Sequence, residues 1–262
     1  MTKSSLQDIR SAYSQKKTWE KQFPLNYFLV RPLSFYLTYI TLRVTRDPSK
    51  VALFGFALGI IGCLLLALSS IYSIWPGLLF VFLFSILDAV DGNVARTTNN
   101  VTLYGKYLDG FLGDLIYGSY QFFLGIGLYF SASWPPHHLI AALPNEHLKA
   151  LPLFLGSVIL IGHLWAISFE TRFDNYRIQK EGFTPIGETT LSKPISKSRR
   201  SEKWYYLIFI NIDSLNSQLL LFTILSFLKL EIFALLFFAC FFTAKAFFYL
   251  FFFYRKAKYI LK

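Results

Sequence analysis

From Val51 onward the chain alternates long apolar stretches with short polar interruptions. Six stretches, roughly 51–70, 76–96, 104–130, 151–170, 204–227 and 231–254, are each long enough to cross a hydrocarbon core about 30 Å thick as an α-helix. Several carry glycine or a lone polar residue, which suits helices that pack against one another. Ahead of the first, Pro32 to Thr45 has apolar and aromatic residues at roughly helical spacing, broken by Ser and Thr, and ends at Asp47-Pro48. This predicts an amphipathic helix lying in the membrane interface. A short apolar lead into the first span fits the periodicity equally, and Pro48 favours a break. The pattern predicts an all-α integral membrane protein with six transmembrane helices. Residues 1–50 form an N-terminal arm with the interfacial helix, 51–254 a six-span membrane domain with one long hydrophilic loop at 171–203, and 255–262 a basic tail.

Composition agrees. Hydrophobic residues make up 54% of the 262, aromatics 19%, and the mean hydropathy is +0.44, too apolar for a soluble domain of this size. Charge adds orientation. Lys and Arg concentrate in the arm, the 171–203 loop and the tail, whereas the opposite connections offer only Lys149 and Lys229. Those basic segments and both termini are therefore expected to be cytoplasmic, as an even number of spans allows. The net charge of +11 is a topology signal that excludes no anionic lipid but does not make a nucleic-acid surface. Met1 to Gln22 has no apolar core of a signal peptide. Cys63 and Cys240 lack ligand spacing and read as packing residues, and His137, His138 and His147 as loop residues. His163, Asn211, Asp213 and Lys245 are isolated polar groups expected to bond between helices.

Candidate chemistry sits at the end of the second span. Asp88 and Asp91 are three residues apart and share a helix face. Gly92 and Ala95 remove bulk beside them, which lets a phosphorylated ligand approach the backbone. After a polar turn over 97–102 the chain re-enters at Gly105, with Asp109 one turn deeper. Three acids from two antiparallel helices make an oxygen-rich site suited to Mg2+ or Mn2+, hard cations that also hold phosphates. Arg96 supplies a planar fork for phosphate. Ionisable groups in a span are costly and mark functional sites. A transporter would spread its acids deeper and over more spans, and no internal repeat is visible.

The spacing Asp88, Asp91, Gly92, Ala95, Arg96, Gly105, Asp109 resembles the signature of the CDP-alcohol phosphotransferase family, D-x2-D-G-x2-A-R-x8-G-x3-D-x3-D, with both gaps of the family's length. The resemblance implies a membrane enzyme that passes a phospho-alcohol from a CDP-alcohol, often CDP-diacylglycerol, to an acceptor hydroxyl with release of CMP. It implies Asp88, Asp91 and Asp109 as metal ligands, Gly92, Ala95, Arg96 and Gly105 bordering the CDP moiety, and a homodimer. The acceptor is not named by the sequence. Arg177, Lys193, Lys197, Arg199 and Arg200 would suit a phosphorylated one or belong simply to a solvated basic loop.

One position departs from the signature. The last acid, which the resemblance implies as second-metal ligand and acceptor-activating base, falls at Gly113, and the next residue is Asp114. On a regular helix Asp114 is rotated about 140° from Asp109. Either a π-type bulge brings Asp114 round as the base, with Asp109 beside it, or the chemistry is altered, or the chain is an inactive CDP- and metal-binding relative.

Overall fold

The computed structural model describes residues 5–13, 20–68, 71–131, 145–181 and 204–260, and these are helical apart from short connections. In chain order the helices are α1 (Leu6–Tyr13), α2 (Arg31–Val44, entered through a π-helical turn Asn26–Val30), α3 (Pro48–Ala67), α4 (Ile71–Thr97), α5 (Leu103–Phe130), α6 (Asn145–Glu181), α7 (Trp204–Asp213), α8 (Leu215–Phe227) and α9 (Glu231–Ile260).

Local chemistry sets the breaks. The Asp47 carboxylate accepts from the Ser49 N–H and Pro48 opens α3, so the helix restarts cleanly after the extended Thr45. Between α4 and α5, Asn99 takes a positive φ of 53°, while Asn99 N–H bonds the Arg96 carbonyl and Asn100 N–H the Ala95 carbonyl. This is a Schellman stop, which spends the orphan carbonyls of α4. Thr102 then caps α5 by accepting from Gly105 N–H at 3.0 Å. Together they return the chain within five residues, 98–102.

α3, α4, α6 and α9 are long and apolar enough to cross a membrane, and α7 with α8 would make a fifth span if the pair is counted as one. At most half of each apolar window is buried within the bundle. The rest, including Leu53, Phe54, Trp165, Phe233 and Phe251, faces outward, which only an apolar solvent makes cheap. α5 is long enough but less apolar, because its buried face carries Tyr120, Gln121 and several glycines.

α4 and α5 each pack along α3 far more than on one another, and α5, α6 and α9 continue the row. α8 closes it by inserting Leu215, Leu219 and Phe222 into the core beside Phe238. Its polar N-terminal turn is bonded inside: Asn216 Oδ1 accepts from Ser85 Oγ at 2.9 Å, and Gln218 Oε1 accepts from both Tyr120 Oη and Gln121 Nε2 at 2.9 Å. Glycines allow the closest crossings. A Cβ on Gly62 would lie 2.9 Å from the Gly77 carbonyl, and one on Gly125 2.5 Å from the Pro152 carbonyl.

Three expectations change. The stretch 204–227 is two helices bent by 71°, broken where Ser214 turns extended and its side chain caps α8 by accepting from Ser217 N–H. The hydrophilic loop expected over 171–203 begins as helix, since α6 runs on to Glu181 with Asp174 and Arg177 paired along it at 3.2 Å. The fourth apolar helix also starts earlier, at Asn145. Residues 137 and 138, and the loop cations 193, 197, 199 and 200, lie outside the described residues.

Candidate metal and nucleotide site

The Asn99 turn places the last turns of α4 against the first of α5. Asp88 is half-buried, Asp91 buried and Asp109 exposed, and a carboxylate oxygen of each lies within 4.8 Å of the others. Oxygens on one small divalent ion lie about 3 Å apart when adjacent and about 4.2 Å apart when opposite, so modest side-chain adjustments would let these three share one. Such closeness is unfavourable without a cation. The donor set therefore fits a hard divalent ion, and does not choose between Mg2+ and Mn2+.

Arg96 is held beside the acids by a layer the sequence reading passed over. Asn93, buried, donates from Nδ2 to Ser34 Oγ at 3.1 Å and to Thr38 Oγ1 at 3.3 Å, while its Oδ1 accepts from Arg96 Nη2 at 2.8 Å. Gly92 leaves room for this, because a Cβ there would meet both Arg96 Nη atoms at 3.3 Å. Gly105 preserves the Thr102 cap, whose Oγ1 a Cβ would approach to 3.1 Å. Ala95 is half-buried one turn past Asp91 and accepts the Asn100 N–H. A second unforeseen group lies alongside. Buried Glu20 accepts from Tyr13 Oη and from Arg31 Nε and Nη2, with Arg31 stacked 4.9 Å over the Tyr13 ring. Arg31 acts electrostatically on Arg96. Arg31 Nη1 and Arg96 Nε are both buried without a hydrogen-bond partner, donors that suit an anionic ligand. Glu20 also holds the Tyr13 phenol in its protonated form, since burial and the adjacent carboxylate both push its pKa up.

Asp114 is not among the three converging acids. α5 is α-helical throughout Leu103–Phe130, with no wide turn to bring it round. Gly113 and Gly110 have nothing within 4 Å of where a Cβ would stand, so they spare no neighbour and border open space. Of the isolated polar groups, Asp213 and Lys245 pair, Asn211 donates to the carbonyls of Gln22 and Leu207 at 2.8 Å, and His163 has no partner on either ring nitrogen. Cys63 and Cys240 are free thiols.

The sequence agrees with the geometry. Residues 47–168, which run from the cap of α3 into α6, match the family model of CDP-alcohol phosphatidyltransferase, a family of transferases. That is the family which the aspartate spacing resembles, and the match contains all three acids. No curated protein matches the chain.

Proposed function

We propose that the protein transfers a phospho-alcohol group, phosphatidyl from CDP-diacylglycerol, to an acceptor hydroxyl with release of CMP, in the synthesis of a phospholipid or related phosphodiester. The observation that carries this is the meeting of Asp88, Asp91 and Asp109 within 4.8 Å beside Arg96, in a segment that matches the family. In the reaction the acceptor oxygen forms a bond to the phosphorus bearing the alcohol, the bond from that phosphorus to the CMP oxygen breaks, and CMP leaves with the electron pair. A divalent ion held by the three aspartates would supply neutralisation of the diphosphate and of the leaving CMP. Arg96, fixed by Asn93, points its fork at the donor's phosphates, and its free Nε and Arg31 Nη1 add donors. Gly92, Ala95 and Gly105 keep the wall low where the nucleotide passes. Asp109, the exposed acid, is the one open to the acceptor and takes its proton.

The remaining layout supports work at a membrane surface. α2 turns Ser34 and Thr38 inward to Asn93 and leaves Tyr36, Ile40 and Val44 exposed, as a helix bedded in the interface would. We place six spans, α3, α4, α5, α6, the bent pair α7–α8, and α9, with the site and both termini cytoplasmic. Gly113 in place of an acid favours a second reading, a nucleotide- and metal-binding relative without turnover. Purified protein incubated with CDP-diacylglycerol, Mg2+ or Mn2+ and a panel of acceptor alcohols separates the two. Metal-dependent CMP release is expected, and Asp91→Asn abolishes metal-dependent CDP binding while the protein elutes as wild type on gel filtration. CDP binding that is indifferent to the metal would remove the site assignment, and metal-dependent binding without CMP release would favour the second reading.

A further inference from the structure

The segment that matches the family begins at residue 47. Ahead of it, the N-terminal arm brings a guanidinium of its own to the site. Arg31 opens α2, and buried Glu20 accepts from its Nε and Nη2 together, while the Tyr13 ring lies 4.9 Å from the guanidinium carbon. A carboxylate that takes both of these nitrogens fixes the plane of the fork and the direction of the third. That third nitrogen, Nη1, is buried and has no hydrogen-bond partner.

A continuous run of hydrogen bonds joins Arg31 to Arg96. Ser34 Oγ donates to the Arg31 carbonyl at 2.9 Å and accepts from Asn93 Nδ2 at 3.1 Å, and Asn93 Oδ1 accepts from Arg96 Nη2 at 2.8 Å. Val30, beside Arg31 in the chain, is buried in one apolar cluster with Val90 and Val94. The start of α2 therefore lies against the turns of α4 that carry Asp91 and Arg96. Two guanidiniums stand at the ends of this run, each with a buried nitrogen left over, Arg31 Nη1 and Arg96 Nε. Their like charges act on each other, and an anion at the free nitrogens offsets that repulsion.

Glu20 is not needed to fasten the arm. Asn211 Nδ2 donates to the Gln22 carbonyl at 2.8 Å, Asn216 Nδ2 donates to Asn26 Oδ1 at 2.6 Å, and Ile9 and Val30 are buried. A buried ion pair adds little stability over apolar side chains of similar volume. What the carboxylate supplies is direction, because it decides where Arg31 Nη1 points. Tyr13 supports it by donating its hydroxyl to Glu20, and its ring meets Phe35 of α2 edge-on at 5.2 Å. Resting on the transferase reading above, we propose that Glu20 is a positioning residue for the donor: it aims Arg31, which binds the diphosphate of the CDP-alcohol together with Arg96. The N-terminal arm is then part of the active site, and Glu20 and Tyr13 act without touching substrate.

The test uses the full chain in detergent with Mn2+ and compares CDP with CMP, which differ by one phosphate. Wild type is expected to bind CDP in a metal-dependent way and more tightly than CMP. Arg31→Lys keeps the charge but loses the fork, and Glu20→Gln keeps the shape but loses the charge. Each should weaken CDP binding about tenfold and lower the CDP-to-CMP preference, with Mn2+ affinity unchanged. Tyr13→Phe should move the preference the same way by less. The double variant should lose no more than Arg31→Lys alone, because Glu20 acts through Arg31. A wild-type preference in both single variants, whether or not they melt earlier, would reduce the pair to a structural tie and overturn the proposal. Additive losses in the double variant would overturn it as well. Those outcomes leave the metal and nucleotide site standing, whereas wild-type protein that binds CDP equally with and without Mn2+ would remove the transferase reading itself and the positioning role with it.

Discussion

At the scale of single residues, the site depends on side chains that never touch the acids. Asn93 has its amide nitrogen spent on Ser34 and Thr38 and its oxygen on Arg96. Asn93→Ala strips these partners in a buried place, at a cost of about 1–3 kcal/mol, and frees the Arg96 fork. CMP release should fall about tenfold or more with metal affinity nearly unchanged, which titration of Mn2+ against the variant would show. Gly113 presents the opposite case. Because a Cβ there meets nothing within 4 Å, Gly113→Asp should melt at the wild-type temperature. Its carboxylate would stand one turn from Asp109, so divalent-ion affinity should rise; weaker or unchanged affinity would show that position 113 faces away from the acids. The sequence singled out Gly113 through spacing alone, whereas Asn93 lay unnoticed between fixed positions. A polar residue on the side of an apolar helix away from its acids was the available signal.

Among elements, the turn between α4 and α5 determines whether the acids meet at all. Asn99 holds a φ of 53°, which a β-branched residue reaches only with strain of about 1–2 kcal/mol. Asn99→Val should lower the melting temperature and weaken metal-dependent CDP binding together, while Asn99→Gly preserves both; a thermal scan with and without Mn2+ would check the pair. The polar run over 97–102 announced a turn, and the lengths of α3, α4, α5 and α9 were legible as apolar stretches. The break at Ser214 was not. Its cause is the demand of Asn216 and Gln218 for partners on α4 and α5, a demand that becomes visible only when those helices are adjacent. The extension of α6 to Glu181 was hidden for a related reason, since a charged helix and a charged loop share composition.

For the whole molecule, the distribution of Lys and Arg carries the orientation on which substrate access depends. With Cys63 and Cys240 replaced, Ser198→Cys should be labelled by an impermeant thiol reagent only from the cytoplasmic side. Labelling only from the opposite side would invert the topology and deny CDP-linked donors their route to Asp88, Asp91 and Asp109. The same experiment at position 2 would report the N-terminal arm, which the Asn26 bond to Asn216 and the Asn211 bond to Gln22 tie to the bundle.

The sequence by itself pointed to the family, to long apolar helices over much of the chain and to the three acids that the fold brings together. Hydrophobic length, fixed acid spacing and basic asymmetry are properties of a chain read in one dimension. Tertiary structure alone decided which polar residues meet across it. Lys245 and Asp213 are thirty-two positions apart, Asn93 and Ser34 fifty-nine, and Asp114 stays apart from the three converging acids because the regular α5 rotates it away from Asp109. Buried charge and buried amides must find partners wherever packing brings them. Their partners are fixed by helix adjacency, which no local pattern encodes.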